Sequence, residues 1–342
     1  MRCLTFTLSL LLVPVIGSTH HSRAEFADDA MEIEGEIVEI AWRNPHPVLT
    51  VSVTNDAGEE ELWEVESWSS ANSLARKGVV GDVFTVGQTV RAVVRLSGRR
   101  PGTLLGESIS LGNGTQAVLR PGLDPVFPGE RVLGSDVTPL VSASASGTSG
   151  RDLGLFRVWT NVDSEGPGEL PLTAAAIAGL EGYDELADHP MWNCDPMGMP
   201  VAMDTGSPVE FIDRGDEIHM RLEQSDALRV FHLNSNIDPA SQPHSIMGYS
   251  AGRWEGDILI VTTRNTNFPY MNDDGVPKSD QMEIDERFTL GADGNTLSWE
   301  ATLTDPVYLT EPVVTRMSWE WVPGETVKPY DCLESSSGLE PR

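Results

Sequence analysis

Residues 281–304, QMEIDERFTLGADGNTLSWEATLT, decide how the C-terminal half of the chain is read. Met282, Ile284, Phe288 and Leu290 recur at every second position, and after GADG the run NTLSWEATLT continues as a second strand. A period of two belongs to a β-strand with one buried face. Glu286 falls in the middle of that apolar face. A lone buried carboxylate is costly, so a basic partner is required. Arg229 and Arg253, on strands that could neighbour it, are the candidates. Two readings stay open: a buried ion pair in a barrel floor, or a polar anchor or general acid of raised pKa inside a pocket lined by Trp299, Trp319 and Trp321.

The same period extends outward from this hairpin. EIHMRLE (217–223) puts Ile218, Met220 and Leu222 on one face, and ALRVFHL (227–233) pairs with it across QSD. GRWEGDILIVTT (252–263) is a hairpin over the two-residue turn Gly256–Asp257. VVTRMSWEWV (313–322) aligns Met317, Trp319 and Trp321. Six or seven strands in sequence order between about Val209 and Trp321 predict a lipocalin-like antiparallel barrel or strongly curled sheet.

Strands also fill the region from Ile33 to about Leu119. EIEGEIVEIAW aligns Val38, Ile40 and Trp42; PVLTVSV aligns Leu49, Val51 and Val53. ELWEVESW returns as a third strand after the NDAGEE turn. SSANSLARKGV is a short capped helix ending at Gly78. QTVRAVVRL directs Val90, Ala92, Val94 and Leu96 inward, and GESISL is a fifth strand. Three strands, a helix and two strands is the order of an OB-like barrel. The HHS, GEIVEIAWRNPHPVLTVSV, LARKG and VGQTVRAVV segments resemble the DUF6152 family of exported bacterial proteins over roughly residues 18–118. The resemblance implies fold and compartment but no reaction, and the SGRRPGTLLGE loop departs from it. The string GYSAGRWEGDILIVTT…ERF…LTDP is similar to a recurrent C-terminal region of uncharacterised exported proteins, again without a reaction.

The domain division follows: a signal peptide at 1–19, an OB-like domain at 20–119, a Pro/Gly/Ser-rich linker at 120–155 and the barrel-like domain at 156–334. Within the last, a helix is expected at about Thr173–Leu180, and the rest of the stretch before Val209 reads as an extended strap. MRCLTFTLSLLLVPVIGS has one positive charge, a short apolar run and then small residues, the pattern of a secretory leader. A periplasmic or secreted location is expected, with no membrane insertion after cleavage. Cleavage removes Cys3, leaving Cys194 and Cys332 to pair as one disulfide in an oxidising compartment. The net charge of −29, from 52 acidic and 23 basic residues, sets nucleic acid aside as a partner.

Metal ligands are the second line of candidates. Cleavage after Gly17 or Thr19 would leave His20 and His21 at a free amine, a chelating arrangement for Cu(II). His46, held between Pro45 and Pro47, could join them or simply be a turn histidine. Met197, Met199 and Met203, near Cys194, suggest Cu(I), but, with Cys194 expected in the disulfide, core packing is the preferred reading. The carboxylates of YMNDDGVPKSD fail the EF-hand pattern, because its first position falls on Tyr270. No nucleophile elbow, zincin motif, phosphate loop or dinucleotide fingerprint is present. His244, beside Ser245, is a remote catalytic candidate alongside Glu286. The expectation is an exported protein that binds a small molecule or a metal ion, copper being the possible cofactor. The alternatives are a copper protein using its N-terminal histidines, or a hydrolase or lyase acting in the C-terminal barrel.

Overall fold

In the computed structural model, residues 25–55, 57–135, 154–166, 168–204, 206–233, 237 and 239–332 are described. Among these residues the chain is all-β, with two sheets. The first contains β1 (Phe26–Ala41), β2 (Val48–Thr54), β3 (Glu60–Ser67), β4 (Thr89–Ser97), β5 (Thr103–Ser110), β6 (Thr115–Val118) and β7 (Arg131–Leu133). Its order is β3-β2-β1-β4-β5-β6-β7, and β3 additionally pairs with β5 in parallel. The ring of pairings β1-β2-β3-β5-β4 is the expected OB-like order, extended by two further strands. Residues 120–135, expected to be linker, therefore belong in part to this sheet, since β7 pairs with β6.

β1 serves two neighbours: Met31–Glu36 face β4, whereas Glu36–Ala41 face β2. Such a switch needs a close approach, which Gly35 supplies. A Cβ there would lie 2.3 Å from the Ser52 carbonyl oxygen and 2.7 Å from Val51 Cγ1. Register also shifts between Ile37 and Glu39. Across this bulge the inward face passes from Ile33 and Ile37 to Ile40 and Trp42, which pack against the same core as expected, while Val38, also expected inward, is 39% exposed. Leu96 likewise turns outward, beyond the shift that β4 makes against β5 at Val93/Val94. Helix α1 (Ala71–Arg76) starts where the Ser70 side chain accepts the Ser73 N–H, an N-cap bond.

The second sheet closes on itself as a nine-strand barrel. Its strands are β8 (Val158–Glu165), β9 (Val209–Asp213), β10 (Glu217–Leu222), β11 (Ala227–Leu233), β12 (Tyr249–Glu255), β13 (Ile258–Arg264), β14 (Glu283–Leu290), β15 (Thr296–Thr304) and β16 (Val313–Glu320). Two features depart from the expected meander. The stretch before Val209, read as a strap, contributes β8, which closes the barrel between β16 and β9. Strands β11 and β12 pair in parallel, not as an antiparallel meander. Helix α2 (Ala174–Leu180) begins at Thr173, as its Pro-Leu-Thr start implies.

The barrel interior is filled. Phe211, Phe231 and Phe288 meet with ring centroids 5.5–6.4 Å apart. Met199 and Met203, both essentially inaccessible, enter from the segment that follows Cys194, so these methionines are core. Gly198 marks how tightly that segment packs, since a Cβ there would sit 2.5 Å from Phe268 Cβ and 2.6 Å from the Ile246 carbonyl oxygen. Cys194 and Cys332 form the expected disulfide, with a Cα–Cα separation of 5.9 Å.

Candidate functional site

Glu286 lies inside the barrel, as its place in the alternation implies, and Arg229 is its partner. The guanidinium donates to both carboxylate oxygens, at 3.0 and 2.7 Å. Thr263 Oγ1 and the Trp299 indole N–H add bonds of 2.9 and 3.0 Å to the same carboxylate. Arg229 is also bonded to Thr263 and to Met203 Sδ, and it lies against Phe231. Both charged side chains are fully buried. The carboxylate is thus occupied by four donors, and the cavity beside Trp299 amounts to about 40 Å³. That is space for very little beyond water.

The remaining members of the expected barrel pocket do not assemble around Glu286. Arg253 points out of β12 and pairs with Glu255, with 61% of its side chain exposed. It stands an odd number of positions from the inward-facing Ser250, so the pleat sends it to solvent. Trp319 is wholly buried core. Trp321 lies past the end of β16, half-buried against the Arg157 guanidinium at 4.8 Å. His244 is exposed in the loop before β12, and the neighbouring Ser245 hydroxyl donates to the Gly248 carbonyl. The two form no catalytic dyad. His20 and His21 lie outside the described residues. Among the described residues no three His, Cys, Asp or Glu side chains converge as metal ligands, so His46 has no ligand set there.

The large cavity, of about 390 Å³, lies instead between the two β domains. The OB-like sheet contributes its β1–β2 loop with Arg43, Asn44 and His46, the end of β3 with Glu66 and Trp68, and Arg100 of the β4–β5 loop. The barrel domain contributes His189, Trp192, Glu223, and the C-terminal segment with Tyr330 and the Cys194–Cys332 bridge. The two sides are tied together. Asn44 and Tyr330 form a parallel bridge, and the Asp331 N–H donates to the Asn44 carbonyl at 3.2 Å. Arg43 pairs with Asp331, and Arg76 with Glu325.

Electrostatics in this cavity are set by internal pairing. Arg100 Nε donates to both oxygens of Glu25 at 3.0 and 3.2 Å, while its NH2 reaches Glu66 at 2.9 Å. Glu25 and Arg100 are both buried. Glu223 is 1% exposed and accepts at one oxygen from Asn72 Nδ2 (2.7 Å) and the Lys328 N–H (2.8 Å). Burial raises its pKa to about 7 despite the Lys328 bond. The Asn44 amide lies against the same carboxyl but makes no well-formed hydrogen bond. His189 Nδ1 accepts the Met191 N–H at 3.3 Å, and burial lowers the imidazole pKa. The ring is accordingly neutral near pH 7 with its proton on Nε2, a buried donor with no partner among the described residues.

Alternation could not reveal this site, because its residues sit in loops and at strand ends. Glu223 follows the inward Leu222 and falls out of the pattern at the turn. The one usable signal was the SGRRPGTLLGE loop, which departs from the DUF6152-like pattern and whose Arg100 lines the cavity.

A β-domain pair joined around an interdomain cavity is the class of protein that the fold and site define. The model of DUF6152, a family of unknown function, matches residues 9–106, the N-terminal part of the chain. No curated protein matches it. Among solved structures, a secretary abundant heat soluble (SAHS) protein from Ramazzottius varieornatus is similar at 13% identity with a TM-score of 0.22. That likeness covers 48% of this chain and 93% of the other. Among the described residues no helix is long and apolar enough to cross a membrane.

Proposed function

We propose that this is an exported binding protein whose small-molecule ligand occupies the cleft between the OB-like sheet and the barrel, with no chemistry of its own. One observation supports the reading above others: the interdomain cavity of about 390 Å³ dwarfs the barrel's 40 Å³. Its size falls within the range of small-molecule sites, and its wall mixes aromatic rings with buried polar groups. The place also fits, since loops β1–β2 and β4–β5 form the edge at which OB folds commonly take ligands. The leader-like residues 1–19 and the single disulfide support export to a periplasmic or extracellular compartment. A thermal-shift screen of small metabolites, followed by hydrogen-exchange mapping of any hit, tests the proposal. Protection of residues 43–48 and 189–194 is expected; protection confined to β13–β15 inside the barrel would overturn it.

A further inference from the structure

Resting on that cleft, we infer that its ligand is a neutral, predominantly apolar compound of about two fused rings. Phe26, Pro45, Val48, Met191, Trp192 and Tyr330 line the cavity, and the Cys194–Cys332 bridge lies among them. Apolar surface is the larger share of what this wall exposes. Covering such surface is favourable in proportion to the area removed from water, and it rewards carbon, not hydroxyls or charge.

The polar ends of these rings are already engaged. The Trp192 indole N–H donates to the Glu185 carbonyl at 2.8 Å, and the Tyr330 hydroxyl donates to Met191 Sδ at 3.8 Å. Gln224 Nε2 donates to the same sulfur at 3.4 Å. What the two rings offer a ligand is therefore carbon. Met191 adds a polarizable thioether, and such sulfur favours contact with an aromatic ring.

The charged groups of the wall bond to one another. Arg100 donates to Glu25 and to Glu66, and Ser97 Oγ donates to Glu25 as well. Glu223 accepts from the Asn72 amide and the Lys328 N–H, and its other oxygen is fully buried. The Asn44 amide atoms and His189 Nε2 are fully buried too, so a ligand in the cavity touches none of them. Arg43 and Asp331 pair at 3.4 Å with both side chains partly exposed to solvent. A charged ligand would have to displace one of these bonds, whereas an apolar one leaves every pair intact. At about 390 Å³ the cavity is more than twice the roughly 150 Å³ of apolar space that holds benzene, so a two-ring compound of about ten carbons suits it.

The test titrates the full-length, disulfide-bonded protein, carrying methyl-labelled methionine, with four probes: naphthalene, 2-naphthoate, 2-naphthylmethylamine and sucrose. The Met191 methyl resonance reports the cleft, and that of Met317, beside the 40 Å³ barrel cavity, reports the barrel. Naphthalene is expected to shift Met191, to leave Met317 in place and to bind at least about tenfold more tightly than the other three probes. Trp192→Ala should weaken it about tenfold, the order expected for losing one aromatic contact, while Trp254→Ala, at an exposed position of β12, leaves it unchanged. The naphthoate, the amine or sucrose moving Met191 at lower concentration than naphthalene would overturn the ligand class and leave the cleft standing. Naphthalene moving Met317 and not Met191 would overturn the class and the cleft together. Silence of all four probes would overturn the class, and the metabolite screen above would then decide the cleft.

Discussion

The side-chain amide of Asn72, in helix α1, donates across 2.7 Å to the carboxylate of Glu223, 151 residues further along the chain. This bond crosses from the OB-like sheet to the turn between β10 and β11, and both partners are buried. With the Lys328 backbone it makes Glu223 a junction of three segments that surround the cleft.

A pH dependence follows from that junction. Glu223 keeps its proton up to about pH 7 in the folded protein, against an ordinary value of 4.5. Between these values the native state binds more protons than the unfolded one, so this group makes stability fall as pH rises. Below the lower value the effect is absent, and above about 7 it is complete. Glu223→Gln should flatten the melting-temperature profile between pH 5 and 7, removing a slope of at most about 1.4 kcal/mol per pH unit. An unchanged slope would assign the dependence to other groups.

The Glu286–Arg229 pair should behave as structure, not as a ligand anchor. Glu286→Gln leaves a buried guanidinium uncompensated, with an expected loss of about 3–5 kcal/mol in urea unfolding. Replacing both residues by leucine and methionine should recover much of it, because the pair's own desolvation cost disappears. A double variant no better than the single one would show that the pair contributes more than it costs.

The disulfide closes a loop with a sequence separation of 138. On the chain-entropy account its removal costs about 4–5 kcal/mol. Cys194→Ala combined with Cys332→Ala should lower the melting temperature and also release the segment around Tyr330, one wall of the cleft. Faster hydrogen exchange at residues 326–332 than in the barrel strands would record that release.

Gly35→Ala should destabilise the OB-like sheet selectively. The added methyl meets the Ser52 carbonyl and Val51, both held in β2, so relief requires the strands to move apart. An overpacking cost of about 1–3 kcal/mol is expected, with exchange rising in β1 and β2 and unchanged in β13–β15.

Much of the scaffold was legible because buried strand faces repeat every second residue. The β14–β15 hairpin and the inward Glu286 follow from that rhythm, which left Arg229 and Arg253 open as its partner and offered Trp299 only as a lining residue; the structure chose Arg229 and made Trp299 a donor. The rhythm failed where a bulge intervenes, as at Val38, and where a strand stands alone in sequence, as β8 does. Arg253 was misplaced for want of register: counted from Ser250, it faces solvent.

The sequence by itself pointed to two β-rich regions, one disulfide and an inward Glu286 in need of a basic partner, because periodicity, composition and the cost of isolated charge act locally or through few residues. Only the tertiary structure decided that the barrel is filled and that the accessible space lies between the domains. Arg100, His189, Trp192, Glu223 and Tyr330 come from separate turns and tails, and no local preference relates them. Their meeting depends on how two finished sheets dock, which burial and long-range pairing settle together.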